Sequence, residues 1–214
     1  MKTGILGGTF DPIHYAHLLI AETAADRFGL DRVLLMPSHI SYFKEGRADG
    51  VSSPEDRLAM TEAAASDNPR FLVCDMEILR GGKSYTYETL EEMHREDPEE
   101  EIFYIVGADT VCTMGTWRYP ERIFPHCTIV GALRPDQISR SELERAAEDL
   151  RTAYGAKVEI MEIPAVGISS TDIRGRVREG RSIRYLVPEG VRRYIIDKGL
   201  YRHLPGEKHE DEDT

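Results

Sequence analysis

Two histidines, His14 and His17, follow a glycine-rich turn near the start of the chain. The turn, Gly7-Gly8-Thr9-Phe10-Asp11-Pro12, lies between a short apolar run and an alanine- and leucine-rich segment, which predicts a strand, a tight turn and a helix. Glycine lets a phosphate approach the backbone, and a helix N-terminus offers free N–H groups and a positive dipole end. Because the histidines are three residues apart, both imidazoles are expected on one face of the first helical turn. The pattern predicts an anion site with two titratable donors, whose protonated forms the helix dipole disfavours.

A second candidate anion site is Gly167-Ile168-Ser169-Ser170-Thr171-Asp172-Ile173-Arg174, which follows an apolar run and opens a helical pattern. Ser170 and Thr171 can supply hydroxyl and N–H donors at the helix N-terminus. Arg174 lies one turn further on, and its planar guanidinium suits phosphate. Alone, the segment is better explained as a serine cap followed by a surface arginine. The two motifs together indicate one shared phosphate site.

Strand-like apolar runs alternate with helical patterns along the chain. Strands are expected at 3–6, 32–37, 71–74 with a continuation through 76–79, 102–106, 128–131 and 158–161. Helices are expected at 18–25, 53–66, 86–93 with Thr86 as the cap, 141–154, 171–179 and 188–198. This alternation predicts a single Rossmann-like three-layer α/β domain with a mainly parallel sheet over residues 1–204, followed by an acidic tail at 205–214 for which we expect disorder. Ligands of such sheets bind beyond the carboxyl ends of the strands, where 37–39 and 107–109 are expected to converge.

Composition narrows the class of protein. The formal net charge of −11, from 27 Lys and Arg against 38 Asp and Glu, argues against a nucleic-acid-binding partner. The three cysteines, Cys74, Cys112 and Cys127, are far apart, and we expect buried thiols in a reducing compartment. No apolar run is long enough to span a bilayer, so a cytoplasmic protein without a membrane partner is expected. A homo-oligomer remains open.

Both motifs resemble the signatures of the nucleotidylyltransferase superfamily. The opening turn is similar to its Gly-Gly-Thr-Phe-Asp-Pro-x-His-x-Gly-His pattern, with Ala16 at the last glycine, and the later segment is similar to its Ile-Ser-Ser-Thr-x-x-Arg pattern. Three further segments resemble the bacterial nicotinate-nucleotide adenylyltransferase family. They are Ser84-Tyr85-Thr86-Tyr87-Glu88-Thr89-Leu90, Gly107-Ala108-Asp109 followed by Trp117, and Gly199-Leu200-Tyr201. The resemblance extends over the chain to about Tyr201.

The resemblance implies an activity and a set of site residues. That family joins ATP and nicotinate mononucleotide to give nicotinate adenine dinucleotide and pyrophosphate, with Mg²⁺ accompanying ATP and no metal ligands assigned to the protein. Catalytic roles are implied for His17, His14 and Arg174. ATP contacts are implied at Gly7, Gly8, Thr9, Phe10, His14, His17, Lys44, Gly107, Asp109, Ile168, Ser170, Thr171 and Arg174. Contacts with nicotinate mononucleotide are implied at Tyr85, Thr86, Lys44 and Trp117, whose ring would stack on the pyridine.

Several alternatives stay open. Nicotinamide mononucleotide could be the preferred acceptor, or the chain could be another nucleotidylyltransferase, such as a pantetheine-phosphate adenylyltransferase. A metal hydrolase using His14, His17 and His39 is a different class, and a non-catalytic nucleotide sensor is a third. The loop around Lys44 departs from the family pattern, since Ser41-Tyr42-Phe43 stands where relatives carry Pro-Pro-His. Arg134-Pro135 resembles a family dipeptide to which we assign no role.

Overall fold

The sheet lies at the centre of the fold. The structure, a computed structural model, describes residues 1–41, 52–134 and 138–202. Within these ranges the strands are β1 (Lys2–Gly8), β2 (Arg32–Pro37), β3 (Ile40–Ser41), β4 (Phe71–Val73), β5 (Lys83–Ser84), β6 (Glu101–Gly107), β7 (Thr128–Leu133) and β8 (Lys157–Glu162). Six of them form one parallel sheet in the order β4-β2-β1-β6-β7-β8, and β3 pairs with β5 in a separate parallel ladder. The prediction of a parallel α/β sheet is confirmed.

Helices connect the strands. In the described part of the chain they are α1 (Tyr15–Phe28), α2 (Pro54–Ala65), α3 (Met76–Arg80), α4 (Thr86–Glu96), α5 (Ala108–Val111), α6 (Arg140–Tyr154), α7 (Ser170–Arg178) and α8 (Glu189–Asp197). Short 3₁₀ helices follow α5 at Met114–Thr116, Pro120–Arg122 and Phe124–His126. The start predicted for α2 is confirmed, because the Ser53 hydroxyl accepts the Asp56 N–H at 3.0 Å and Pro54 opens the helix.

Each face of the sheet carries its own apolar core. Leu35 faces α1, α2 and α8, where it shares a cluster with Ile20, Met60 and Val191. Ile5 belongs to the opposite cluster, whose helical members come from α4, α5 and α6 and whose 3₁₀ members include Met114. The two cores make the three layers that the sequence predicts.

The order of the strands creates the position for a site. β1 is central, and the chain builds outward from it first through β2 to β4 and then through β6, β7 and β8. The strand order therefore reverses beside β1, and the loops after β1, β2 and β6 meet at the carboxyl edge of the sheet. The opening glycine-rich turn lies at this reversal.

The sequence predicted that residues 76–79 continue a strand. In the structure they belong to α3 instead, so this prediction is wrong. The ladder between β4 and β2 ends where Val73 meets Leu35, so the chain beyond has no strand partner. One short helix satisfies its backbone instead, and Gly81, at φ +70°, ends that helix with its N–H on the carbonyls of Glu77 and Ile78.

Two smaller expectations are also corrected. Thr86 was expected to cap α4, but it is the first residue of that helix and Tyr85 is the cap. The backbone of Tyr85 is extended, and its carbonyl oxygen accepts the N–H groups of Glu88 and Thr89. The cysteines are free, but Cys112 is exposed at the end of α5, Cys74 is half-buried and only Cys127 is buried. Burial raises the pKa of the Cys127 thiol to about 12.

Lys44 and the tail 205–214 lie outside the described residues. No helix in the described ranges is long and apolar enough to cross a membrane.

Candidate active site

The glycine-rich turn leaves β1 through a strained backbone. Phe10 is buried and has φ +50°, in the left-handed region that favours glycine. Its ring lies where a side chain at Gly8 would have to go, since a Cβ there would come within 2.8 Å of the ring. Strain of this kind persists where surrounding structure enforces it, commonly at functional sites.

The two histidines stand at the N-terminus of α1. His14 is the cap residue, with φ −149° and ψ 171°, and its backbone N–H donates to Nδ1 of His17 at 3.3 Å. Because Nδ1 of His17 accepts a hydrogen bond, the neutral ring carries its proton on Nε2. The edge of the Phe10 ring contacts the His17 ring, with centroids 5.1 Å apart.

His14 differs electrostatically from His17. It is 5% exposed, and within the described part of the chain its Nδ1 has no hydrogen-bond partner. Burial first, and the positive charge of Arg134 second, lower the pKa of His14 to about 4. The predicted preference of this residue for the neutral form is confirmed, although burial and a neighbouring arginine cause it. Arg134, from the carboxyl end of β7, is thereby placed near the opening turn.

The second motif contacts the first directly, although the two are about 160 residues apart in the sequence. Ser169 caps α7 by accepting the Asp172 N–H at 3.1 Å. The Ser170 hydroxyl donates to the carbonyl of Pro12 at 2.9 Å, and Nη1 of Arg174 donates to the carbonyl of Asp11 at 2.7 Å. Ile168 packs against the core, and Thr171 lies 3.5 Å from Nη2 of Arg174. The two motifs predicted to share one site are therefore brought together.

The carboxyl end of β6 forms a third side of the site. Gly107 is the cap of α5, and a Cβ at this position would lie 2.5 Å from Oδ1 of Asp109. The residue must therefore be small for Asp109 to keep its place. Asp109 itself is exposed. Both residues follow the strand that pairs with β1, next to the opening turn.

The residues implied for the second substrate also lie near one another. Thr86 opens α4, and its hydroxyl is 3.3 Å from the hydroxyl of Tyr104. Nη1 of Arg118 donates to the Tyr85 hydroxyl at 3.2 Å, and its guanidinium lies over the same ring at 5.0 Å. Trp117, half-buried against the second core, immediately precedes Arg118. Lys44, also implied for this substrate, lies outside the described residues.

Sequence reasoning missed Arg57, which organises the turn from below. Its guanidinium is 1% exposed and donates to the carbonyls of Thr9 at 2.8 Å, Ser38 at 2.5 Å and His39 at 2.7 Å. Burial lowers the pKa of Arg57, against the opposing charge of Asp11. One cation thus ties the turn after β1 to the turn after β2. The available signal was an arginine in the apolar stripe of α2, three and seven residues before the buried Met60 and Ala64.

Asp11 was also missed as an organising residue. It is 2% exposed, and its Oδ1 accepts the Tyr201 hydroxyl at 2.7 Å and the Ser52 N–H at 3.2 Å. Its Oδ2 lies 3.8 Å from Nη1 of Arg174. The carboxylate therefore joins the opening turn, α7 and the end of the last helix.

The chemistry of this edge is that of an anion cradle. Backbone N–H groups at the start of α7, the Nε2–H of His17 and the guanidinium of Arg174 are donors suited to phosphate. At the start of α1, in contrast, the N–H groups of His14, Tyr15 and His17 already donate to Nδ1 of His17 and to the carbonyls of Leu186 and His14. His39, the third histidine of the metal-hydrolase alternative, places Nδ1 3.0 Å from the Gly82 carbonyl. In the described ranges no group of three His, Cys, Asp or Glu side chains could hold a metal ion.

Comparisons with known proteins agree with this geometry. A family profile described as cytidylyltransferase-like matches residues 5–176. Probable nicotinate-nucleotide adenylyltransferases from Desulfitobacterium hafniense (strain Y51) and Corynebacterium kroppenstedtii are each 44% identical to this chain over 201 residues, with 94% of this chain and 96% and 90% of the relatives covered. The Plasmodium falciparum nicotinic acid mononucleotide adenylyltransferase complexed with NaAD has a similar fold, with a TM-score of 0.75 at 19% identity over 94% of this chain and 97% of that one.

Proposed function

The chain belongs to the cytidylyltransferase-like family and, within it, to the nicotinate-nucleotide adenylyltransferases, and from this membership we propose that it transfers the adenylyl group of ATP to nicotinate mononucleotide. The products are nicotinate adenine dinucleotide, a precursor of NAD, and pyrophosphate. One observation carries the proposal. Ser170 and Arg174 hold the carbonyls of Pro12 and Asp11, so both phosphate motifs face one site.

The reaction needs no protein nucleophile. A phosphate oxygen of the mononucleotide attacks the α-phosphorus of ATP, the new P–O bond forms, and the bond to the β-phosphate oxygen breaks in line. Pyrophosphate leaves with the electron pair of the broken bond. Catalysis then consists of alignment and of neutralising charge on the phosphate oxygens.

The residues of the cradle divide the alignment of ATP and the neutralisation of its charge among them. His17 donates through Nε2–H to a phosphate oxygen of ATP, and the neutral, buried His14 fixes the position of its ring through its backbone N–H. Arg174 presents the part of its fork that is not used on Asp11. Thr9, Phe10 and the glycines at 7 and 8 provide the close backbone surface for the phosphates, and Gly107 and Asp109 face the adenosine.

Mg²⁺ fits this donor set as a companion of ATP. The site is rich in hydrogen-bond donors for phosphate oxygens, and the exposed carboxylate beside them is that of Asp109. Mg²⁺ keeps several waters and binds through substrate phosphates in such sites, so it needs few protein ligands. When bound, it supplies neutralisation of charge on the phosphates.

The acceptor site favours an acid over an amide. Thr86 and Tyr87 lie in the first turn of α4, where free N–H groups and the helix dipole favour a carboxylate. The exposed guanidinium of Arg118 adds positive charge beside Tyr85. Trp117 offers a flat ring for the pyridine. We also propose that Lys44 contributes to phosphate binding and that the enzyme acts in the cytoplasm, where its free cysteines stay reduced.

A pyrophosphate-release assay tests the proposal. ATP is supplied with nicotinate mononucleotide, nicotinamide mononucleotide or phosphopantetheine in parallel, with and without Mg²⁺. We expect rapid release with the nicotinate compound and Mg²⁺, and a kcat/KM at least tenfold lower with the amide. Faster turnover of phosphopantetheine would assign the chain to another branch of the superfamily. No release with any acceptor would favour a nucleotide sensor.

A further inference from the structure

We propose that Tyr201 is a positioning residue for the nucleotide site: its hydroxyl orients the carboxylate of Asp11, and that carboxylate orients Arg174 toward the phosphates of ATP. The proposal rests on the proposed function, because it takes Arg174 as a phosphate ligand. Tyr201 lies 190 residues along the chain from Asp11 and reaches it from the segment after α8.

The contacts around Asp11 divide its two oxygens between different tasks. Oδ1 accepts both the Tyr201 hydroxyl, at 2.7 Å, and the Ser52 N–H, at 3.2 Å. Oδ2 accepts no hydrogen bond within the described part of the chain and lies 3.8 Å from Nη1 of Arg174. The same Nη1 donates to the Asp11 carbonyl at 2.7 Å. The hydroxyl, the shorter of the two bonds to Oδ1, together with the Ser52 N–H holds the rotamer in which the second oxygen faces Arg174.

A competing cation makes that orientation necessary. The buried guanidinium of Arg57 also attracts the Asp11 carboxylate. Without the hydroxyl, only the longer hydrogen bond from the Ser52 N–H would oppose a turn of the carboxylate from Arg174 toward Arg57. Arg174 would then keep its contact with the Asp11 carbonyl but lose the nearby negative charge that limits its motion. A mobile arginine pays more rotamer entropy when it binds phosphate.

The backbone at Tyr201 supports a specific task for the side chain. Its φ is +65°, a left-handed conformation that is uncommon for a tyrosine. Gly199, at φ +63°, and the hydrogen bond from the Leu200 N–H to the Ile195 carbonyl hold the turn that precedes it. Burial and the Asp11 carboxylate both raise the pKa of Tyr201, so the hydroxyl remains a donor.

The chain offers a matched control in a second tyrosine. The Tyr194 hydroxyl donates to Oδ1 of Asp56 at 2.9 Å, and this pair is also partly buried but joins α8 to α2 rather than to the opening turn. Removing either hydroxyl deletes one Tyr–Asp hydrogen bond of similar length. Among the described residues the ion-pair partner of Arg174 is Asp11 and not Asp56, so we expect the Tyr201 pair, but not the Tyr194 pair, to act on the nucleotide site.

The experiment compares Tyr201→Phe with Tyr194→Phe in the full chain. Isothermal titration with Mg-ATP, in the absence of any acceptor, measures binding without turnover. We expect Tyr201→Phe to weaken ATP binding by about tenfold, the effect of losing one charge-assisted hydrogen bond, and to leave nicotinate mononucleotide binding within twofold. Tyr194→Phe should leave both unchanged. Equal effects of the two variants on ATP would reduce Tyr201 to a structural role.

A double-mutant cycle separates action through Arg174 from general loosening. In an Arg174→Gln background, Tyr201→Phe should lower kcat/KM for ATP by less than twofold, because the residue it acts on is gone. A full tenfold effect in that background would overturn the proposal. Should Tyr201→Phe unfold, Asp11→Asn replaces it, since the amide keeps the shape but loses the charge facing Arg174. If ATP bound without any release of pyrophosphate, the proposed function would be refuted. The same cycle could then still be evaluated from the ATP affinities of the four proteins, measured by titration.

Discussion

The imidazole rings of His14 and His17 stack, with their centroids 3.7 Å apart and 16° between their planes. Two rings so close cannot both be charged without strong repulsion. Burial and Arg134 lower the pKa of His14, and the backbone N–H of His14 donates to Nδ1 of His17, so the proton of the neutral His17 ring lies on Nε2. The two rings therefore differ, and in the function proposed above His14 is the neutral support and His17 is the donor to the substrate.

The donor role of His17 predicts a loss of rate. His17→Ala removes the donor to the transition-state phosphate, so kcat should fall by about 10²–10³ while KM for ATP changes little. Steady-state pyrophosphate release measures both constants. His17→Gln, whose amide N–H can reach the position of Nε2, should recover part of the loss. A variant that lost only ATP affinity would contradict a role in the transition state.

The depressed pKa of His14 predicts a pH dependence of stability. The unfolded chain binds a proton at His14 near pH 6.5, whereas the folded chain does so only near pH 4. The contribution is therefore fully present above pH 6.5 and is lost as the pH falls from 6.5 toward 4, by up to about 3 kcal/mol. Urea unfolding across this range should show a steeper fall for the wild type than for His14→Gln. Parallel curves would mean that His14 titrates normally.

The charge of Arg134 predicts a shift in the same group. Arg134→Gln removes a cation that opposes protonation of His14, so the pKa of His14 should rise from about 4 toward 6.5 without reaching it, because burial remains the larger cause. NMR titration of the imidazole C–H signals measures the shift. Arg118→Gln, which removes an exposed arginine beside Tyr85, is the matched control and should leave the signal unchanged. An unshifted pKa in Arg134→Gln would assign the depression to burial alone.

Local patterns predicted the elements that local chemistry determines. The strand, turn and helix around Gly7 and Gly8 follow from residues close together in sequence, and so does the Ser53–Pro54 start of α2. Residues 76–79 were assigned wrongly because a short apolar run fits a strand or a helix until its neighbours are known. The end of the ladder at Val73 decided the outcome, and no residue within 76–79 encodes that.

The supports of the site were harder to predict than its ligand-facing residues. Both phosphate motifs could be assigned because glycine, histidine, serine and arginine carry their chemistry in their type and spacing. The bond between Asp11 and Tyr201 joins positions 190 residues apart, and Arg57 acts on backbone carbonyls of residues that any sequence could supply. Such contacts form only when loops that are distant in sequence come together in the fold, so the local spacing of residue types does not predict them.

Arg57 predicts a large loss of stability when its charge is removed. Arg57→Met leaves the carbonyls of Thr9, Ser38 and His39 without their buried donor, which should cost about 3–5 kcal/mol of unfolding free energy. Urea denaturation measures it. Arg70→Met is the matched control, because Arg70 pairs with Glu22 and Asp26 at the surface and should contribute little. A small effect at Arg57 would show that water replaces the guanidinium.

Trp117 predicts a selective effect on the second substrate. The ring is half-buried against the second core, and the next residue, Arg118, contacts Tyr85. Trp117→Ala removes the stacking surface for the pyridine, so KM for nicotinate mononucleotide should rise by about tenfold, the equivalent of one aromatic pair, while KM for ATP stays within twofold. Trp117→Phe keeps a flat ring and should lie between the two. Because Trp117 also packs against Met114 and its neighbours, thermal unfolding must be followed in the same variants. A parallel rise in both KM values with a lowered Tm would mean that the ring supports the core, whereas a rise confined to the mononucleotide at nearly constant Tm would place it against the substrate.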